Sequence, residues 1–173
     1  MTTTKLLVAI ALVALAGCDA ESHAKPAPEK VASTSAPVAA KGKVELVEAP
    51  AGAEPVEAIV RRERARANAA GRELLVYVGA SWCEPCMRFH RAAAAGQLDG
   101  VFPTLTLLEL DHDRDEGRLE AAGYTSRLIP LFALPALDGR ASGKQIEGSI
   151  KGDGAVAEIT PRLRHLLAEA KSP

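Results

Sequence analysis

The sequence reads Val76-Tyr77-Val78-Gly79-Ala80-Ser81-Trp82-Cys83-Glu84-Pro85-Cys86 where a predicted strand runs into a predicted helix. The apolar run 73–79 contains β-branched and aromatic residues, which is typical of a buried central strand. Residues 87–95 favour a helix, and Pro85 fits the first turn of a helix, where a proline loses no hydrogen bond. The two cysteines therefore lie between a buried strand and the start of a helix.

Strands and helices alternate on both sides of this junction. The elements that we predict around it are a helix at 56–70, a strand at 105–110, a short helix at 116–122, a hairpin of strands at 130–134 and 144–147, and a helix within 155–170. The predicted order is αβαβαββα, which indicates an α/β fold with a central mixed β-sheet flanked by helices. We predict that this domain covers residues 53–173.

The first residues of the chain have the pattern of an export signal. Lys5 precedes the apolar run 6–16, which is far shorter than the ~20 residues that span a bilayer. The end of this run, Leu15-Ala16-Gly17-Cys18, resembles the bacterial lipobox, in which the cysteine is lipidated. We therefore predict a lipoprotein signal peptide at 1–17 and lipidation of Cys18. The alternative is an ordinary signal peptide followed by a chance cysteine.

The next segment lacks any helical or strand periodicity. Residues 19–52 are rich in Ala, Pro, Lys, Glu and Ser, a composition that buries too little apolar surface to fold. We predict that 18–52 is a disordered tether, whose flexible part of about 34 residues has a reach of roughly 30–35 Å. Asp19 resembles an inner-membrane retention signal of enteric lipoproteins, which slightly favours the inner over the outer membrane.

The overall composition is that of one small soluble domain. The chain has 173 residues, and 47 % of them are hydrophobic but only 3 % are aromatic, so the core must consist mainly of Leu, Val and Ile. The formal net charge is −1. It gives no reason to expect nucleic acid as a partner, because nucleic-acid binding requires clustered cations. We expect a monomer.

The position of Cys83 and Cys86 suits redox chemistry. Backbone amides and the dipole at a helix N-terminus stabilise a thiolate and lower its pKa. The thiolate is the nucleophile in disulfide exchange. At this spacing, the second sulfur can attack a mixed disulfide formed by the first and release the product.

Other uses of a Cys-x-x-Cys pair have weaker support. Zinc usually takes four ligands, and the sequence has no second pair, although a site made by Cys83, Cys86 and His90 is conceivable. Haem attachment requires a histidine after the second cysteine, where Met87 stands. A structural disulfide closing so short a loop would remove little entropy from the unfolded chain. We predict no metal and no cofactor.

The chain resembles thioredoxin-fold proteins in two places. One is the segment 76–86, and the other is Tyr124-Thr125-Ser126-Arg127-Leu128-Ile129-Pro130-Leu131, which is similar to the family's segment ending in a cis-proline. The resemblance implies that Cys83 attacks, that Cys86 resolves, and that Pro130 is cis and faces them. It also implies that Trp82, Ile129 and Pro130 contact the substrate. The alternative for Pro130 is a proline that begins a strand.

Several positions depart from the family pattern. Tyr77 stands where thioredoxin has a buried Asp that assists proton transfer, and Gly79 stands where it has a second Trp. Glu109, on the neighbouring strand, is a candidate for the proton transfer; otherwise it is an exposed carboxylate at the strand end. Glu84 places a negative charge beside Cys83, which should limit the fall in the thiol pKa and favours a reductant.

Two other polar groups have a simpler interpretation. Arg88, His90 and Arg91 on the predicted helix form a solvated face, or alternatively a docking edge for a partner. The segment 111–115, Asp-His-Asp-Arg-Asp, lacks the glycine and glutamate of a calcium loop. We interpret it as a polar connection between a strand and a helix.

These observations predict a membrane-anchored thiol-disulfide oxidoreductase, a protein-disulfide reductase of the cell envelope on its periplasmic side. Its expected partners are disulfide-containing envelope proteins, a membrane electron donor, and the membrane itself through the lipid on Cys18. One alternative is a non-catalytic binding module or copper chaperone that uses Cys83, Cys86 and His90. Another is an oxidase or isomerase that introduces disulfides.

Overall fold

The computed structural model describes residues 42–170. Its elements, in chain order, are β1 (Glu45–Glu48), α1 (Val56–Ala69), β2 (Glu73–Gly79), α2 (Glu84–Ala94), β3 (Leu105–Asp111), α3 (His112–Ala121), β4 (Leu131–Pro135), β5 (Ala141–Glu147) and α4 (Ala155–Glu169). The predicted signal peptide, Cys18 and the tether as far as residue 41 lie outside the described residues.

The five strands form one mixed sheet in the order β1-β3-β2-β4-β5. Strands β1 and β2 both run parallel to β3, whereas β4 is antiparallel to β2 and to β5. Together with the four helices, this is a thioredoxin-like α/β fold, as the sequence predicts. None of the helices in this part of the chain is both long enough and apolar enough to cross a bilayer.

The side chains of the central strand β2 alternate between the two faces of the sheet, and a hydrophobic core lies on each face. Leu75 and Tyr77 belong to the core that α2 and α4 cover, through residues such as Phe89 and Leu163. Leu74, Val76 and Val78 face the other core, which α1 and α3 cover. Because β2 is buried on both faces, its sequence is a nearly continuous apolar run.

Strand β1 corrects the predicted domain boundary. It lies within the segment that we assigned to the tether, yet Glu45–Glu48 pair with β3, and Val44 is 2 % exposed. The buried Arg72 holds this strand in place: its guanidinium donates to the backbone carbonyl of Lys43 and forms an ion pair with Glu45. The observed order is therefore βαβαβαββα, and the fold begins before residue 53.

The segment 111–115 is also different from its prediction as a polar connection. Asp111 is the N-cap of α3 and accepts hydrogen bonds from the amides of Asp113 and Arg114. Asp115 is 1 % exposed and forms ion pairs with Arg114 and Arg118. These arginines donate in turn to backbone carbonyls of the segment between β1 and α1. The acidic run thus caps a helix and anchors the N-terminal part of the fold.

Candidate redox site

The two cysteines form a disulfide at the N-terminus of α2. The Cys83 and Cys86 sulfurs are 2.01 Å apart, and the two residues are 5 % and 2 % exposed. Cys83 is the N-cap of α2, and the Cys86 amide donates to Cys83 Sγ at 3.3 Å. An amide directed at this sulfur would stabilise the thiolate after reduction. The strand-to-helix placement predicted from sequence is confirmed.

The predicted cis-proline lies beside this disulfide. The Ile129–Pro130 peptide bond is cis, and the segment leads into β4, which pairs with β2. The Ile129 carbonyl oxygen is 3.7 Å from Cys83 Sγ, so this backbone faces Cys83. The Pro130 carbonyl accepts a hydrogen bond from the Gly148 amide, which ties the loop to the end of β5. The sheet therefore brings together two segments that are more than 40 residues apart in the sequence.

One cleft, of about 480 Å³, opens beside Cys83, and we call it the Cys83 cleft. Its lining includes Trp82, Leu128 and Ile129. The Trp82 indole is held by a hydrogen bond from Nε1 to the Asp113 carboxylate at 2.7 Å, and His112 contacts the other oxygen of this carboxylate. These two partners lower the pKa of Asp113, with His112 having the larger effect. No local sequence pattern indicates this contact between the loop before α2 and the first turn of α3.

A second cavity, of about 380 Å³, lies beside Cys86, and we call it the Cys86 cavity. Tyr77 and Glu109, which are register partners on β2 and β3, both line it. The buried Tyr77 hydroxyl donates to the Cys86 carbonyl at 3.0 Å. Burial, with a contribution from the Glu109 charge, raises the pKa of Tyr77 far above its usual range. Tyr77 therefore stays protonated and holds the backbone at Cys86.

Glu109 lies on the wall of the Cys86 cavity, with its side chain 17 % exposed. Its Oε1 is 2.7 Å from Nδ1 of His90. His90 follows Cys86 by four residues on α2, a spacing that places both on the same face of the helix. The interpretation of His90 as part of a solvated face therefore missed a contact, although the spacing itself was a usable signal.

Gly79 explains how Tyr77 fits beside the cysteines. A Cβ atom at Gly79 would lie 2.8 Å from the Tyr77 hydroxyl oxygen and 3.3 Å from Cys86 Cβ. A side chain at this position would therefore displace the tyrosine hydroxyl. The tyrosine at position 77 therefore fits only because position 79 has no side chain, so the two departures from the thioredoxin pattern are sterically linked.

Glu84, between the cysteines, is not a free negative charge. Its Oε1 accepts a hydrogen bond from Arg88 Nε at 2.8 Å and another from the Gly152 amide. Arg88 is the largest cause of the lowered pKa of Glu84. Arg88 also pairs with Asp153 at 2.6 Å, so its guanidinium is occupied on two sides.

Among residues 42–170, no three His, Cys, Asp or Glu side chains converge in a way that could hold a metal ion. His90 contacts Glu109 and does not complete a three-ligand set with the cysteines. What the site can carry out is thiol-disulfide exchange: the Cys83–Cys86 disulfide can react with an external dithiol, and the reduced pair with an external disulfide.

Comparisons with solved structures find thioredoxins at low similarity. Trichomonas vaginalis thioredoxin is 17 % identical with a TM-score of 0.47, and the match covers 72 % of this chain and 96 % of that one. Thioredoxin f from spinach chloroplast is 19 % identical with a TM-score of 0.44, covering 77 % and 91 %. Neither a protein-family model nor a curated protein matches the sequence. The fold assignment therefore rests on the strand order and the site geometry described above.

Proposed function

We propose that the protein is a thiol-disulfide oxidoreductase that reduces disulfides of other proteins. The observation that carries this proposal is the placement of the Cys83–Cys86 disulfide at a helix N-terminus, with the Cys86 amide directed at Cys83 Sγ. The Ile129–Pro130 backbone faces the same sulfur. A structural disulfide would require neither this amide nor this backbone edge.

The reaction proceeds in two exchanges. In the first, the Cys83 thiolate attacks one sulfur of a substrate disulfide, forming a mixed disulfide and releasing one substrate thiolate, which takes up a proton. In the second, the Cys86 thiolate attacks Cys83 Sγ, closes the Cys83–Cys86 disulfide and releases the second substrate thiolate. Two electrons and two protons pass to the substrate. A dithiol donor must then reduce the pair again.

In this proposal, Trp82 and Ile129 contact the substrate at the Cys83 cleft. Pro130 is buried and does not line the cleft, and its role is to present the Ile129 backbone to the substrate. Glu109 accepts the proton of the Cys86 thiol before the second exchange, since both residues line the Cys86 cavity. His90 is a positioning residue, because its ring nitrogen contacts the Glu109 carboxylate.

The cellular setting follows from the N-terminal sequence. We propose that lipidation of Cys18 anchors the protein in the cell envelope on the periplasmic side, where disulfides persist. The substrates would then be disulfide-containing envelope proteins, and the dithiol donor would be a membrane protein.

Reduction of insulin by the full chain tests the activity. Substituting Cys18→Ser removes the lipidation site and leaves Cys83 and Cys86 as the only cysteines. We expect this protein to catalyse insulin reduction by dithiothreitol, and the additional substitution Cys83→Ser to abolish it. Activity retained without Cys83 would contradict the mechanism.

The direction of the reaction is tested by the reduction potential of the pair, measured in the same Cys18→Ser chain in a glutathione or dithiothreitol series. A value near −270 mV, about that of thioredoxin, would support a reductase. A value of about −120 mV, like that of a strong periplasmic oxidant, would favour a protein that introduces disulfides.

A further inference from the structure

The surface around Cys83 carries several large apolar side chains that are exposed to solvent. Trp82 and Leu128, which line the Cys83 cleft, are 63 % and 60 % exposed. Ile150 is also exposed, and it lies between two cleft residues, Ser149 and Lys151. Large apolar side chains left in water around a groove are typical of a surface that binds another protein.

The same cleft carries two positive charges. Arg127 and Lys151 both line it. In the described part of the chain, neither side chain forms an ion pair, although the Arg127 backbone amide donates to Glu147. Both cations are therefore available to an external carboxylate.

The negative groups near the cleft already have partners. Glu84 is paired with Arg88, and Lys151 acts on it only as a more distant charge that helps to lower its pKa. Asp113 accepts the Trp82 indole hydrogen bond and contacts His112. Among the charged side chains that line the cleft, those without an ion-pair partner, Arg127 and Lys151, are therefore both positive, in a chain whose formal net charge is −1.

From this charge pattern we propose that the substrates are polypeptides with Asp or Glu close to the reacting cysteine. The inference rests on the proposed reductase function and specifies its substrate class. Apolar residues of the substrate pack against Trp82 and Leu128, while its carboxylates pair with Arg127 and Lys151. Electrostatic complementarity of this kind raises the association rate and selects among partners.

Two synthetic peptide disulfides test the proposal. They are identical except that the residues flanking the cysteine are Asp in one and Lys in the other. The reduced Cys18→Ser chain is mixed rapidly with each, and the fluorescence of Trp82, the single tryptophan, reports oxidation of the adjacent cysteine. We expect the acidic peptide to react about tenfold faster at low salt, as two exposed ion pairs would allow. The difference should largely disappear near 1 M salt, where charges are screened.

A double variant with a matched control assigns this preference to the cleft. Arg127→Gln with Lys151→Gln should remove most of the tenfold preference. The control, Lys144→Gln with Arg164→Gln, changes the net charge equally but at exposed positions outside the Cys83 cleft, and it should retain the preference.

The outcomes separate the two proposals. If neither peptide reacts, the reductase function itself is wrong. If both peptides react at equal rates, the function stands and the substrate class is wrong. If the control variant loses the preference as much as the cleft variant does, the selectivity comes from net charge, and the cleft has no specific role.

Discussion

The two cysteines of one disulfide face very different surroundings. On the Cys83 side, exposed Trp82 and Leu128 border an open cleft, and a backbone carbonyl faces the sulfur. On the Cys86 side, the buried Tyr77 hydroxyl holds the backbone, and the Glu109–His90 pair lies in a separate cavity. The first side is an open and partly apolar surface, whereas the second is a cavity lined by a carboxylate and an imidazole that contact each other.

This difference comes from the sheet. Cys83 is adjacent to the loops before β4 and after β5, where no strand pairing fixes the side chains in register. Cys86 lies over β2 and β3, where Tyr77 and Glu109 are fixed as register partners. We therefore expect substitutions on the Cys83 side to change substrate selection and those on the Cys86 side to change the resolving step or the stability.

Removing the Cys86 sulfur should have the largest effect, because it blocks the resolving step by Cys86 while leaving the first attack by Cys83 possible. When Cys86→Ser is combined with Cys18→Ser, the attack by Cys83 is still possible, but no second thiol of the protein can resolve the mixed disulfide. Turnover should fall by at least about 100-fold, because an intramolecular attack has a high effective concentration. Non-reducing mass spectrometry should detect the trapped mixed disulfide. Rapid release of the substrate from this variant would show that Cys86 is not the resolving cysteine.

The wall of the Cys86 cavity depends on the buried carboxylate of Asp115. This carboxylate binds Arg114 and accepts a hydrogen bond from the Asp111 amide, and both of these residues line the cavity. Asp115→Ala should lower the free energy of unfolding by about 3 kcal/mol, because it leaves these groups without their partner. Urea unfolding measures this loss. Asp113→Ala, an exposed neighbour, is the control and should have a much smaller effect.

Glu109 tests the role of the Cys86 cavity in the resolving step. Glu109→Gln keeps the shape of the side chain but removes its proton acceptor, so resolution should slow by about 10- to 100-fold. The initial attack by Cys83 should remain unchanged in stopped-flow measurements, and the pH profile of resolution should shift to that of the unassisted thiol. Glu48→Gln, on the same cavity wall, is the matched control. An equal loss in the control would indicate a general electrostatic effect.

The contribution of the Asp115 ion pairs to the unfolding free energy should also depend on pH in the wild-type protein. Burial alone would raise the pKa of Asp115, but hydrogen bonds from Arg114 and Arg118 outweigh it and hold the pKa below its ordinary value of 3.8. The stabilisation is therefore fully present above that value and is lost as the pH falls through the lower pKa of the folded state. The difference in unfolding free energy between the wild type and Asp115→Asn should stay constant near neutral pH and shrink below pH 3.8. A constant difference down to pH 2 would contradict this coupling.

The central elements of this fold could be predicted from the sequence because their signals are local. The apolar run of β2, the cysteine pair at the start of α2 and the segment before Pro130 each carry their information within a few residues. Strand β1 could not be found in this way, because it is only four residues long and is held by Arg72, which lies more than 20 residues away. Its stability comes from a tertiary contact that no local pattern encodes.

The candidate functional residues likewise divide into those with a local sequence signal and those defined by tertiary contacts. The roles of Cys83, Cys86 and Pro130 were suggested by motifs, and their placement agrees with the prediction. The contacts between His90 and Glu109, and between Trp82 and Asp113, cross from one element to another. Polar residues on neighbouring elements have many possible partners, so only the folded arrangement selects the pair. The same reason applies to the acidic run 111–115, because the sequence does not distinguish the buried Asp115 from its exposed neighbours.

Substituting Glu84 should have the smallest effect of these changes, although its position between the cysteines suggests a large effect on the reduction potential of the pair. From the sequence, its charge should oppose a Cys83 thiolate and favour a reductant. In the structure, Arg88 and the Gly152 amide bind this carboxylate, and its charge is exposed to solvent on the remaining side. Glu84→Gln should therefore shift the reduction potential of the pair by no more than about 10 mV, the size expected from a weak exposed interaction. Arg88→Gln, which leaves Glu84 without its ion-pair partner, should lower the reactivity of Cys83 more than Glu84→Gln raises it. The reverse order would mean that Glu84 controls the potential directly and that its ion pair with Arg88 does not offset its charge.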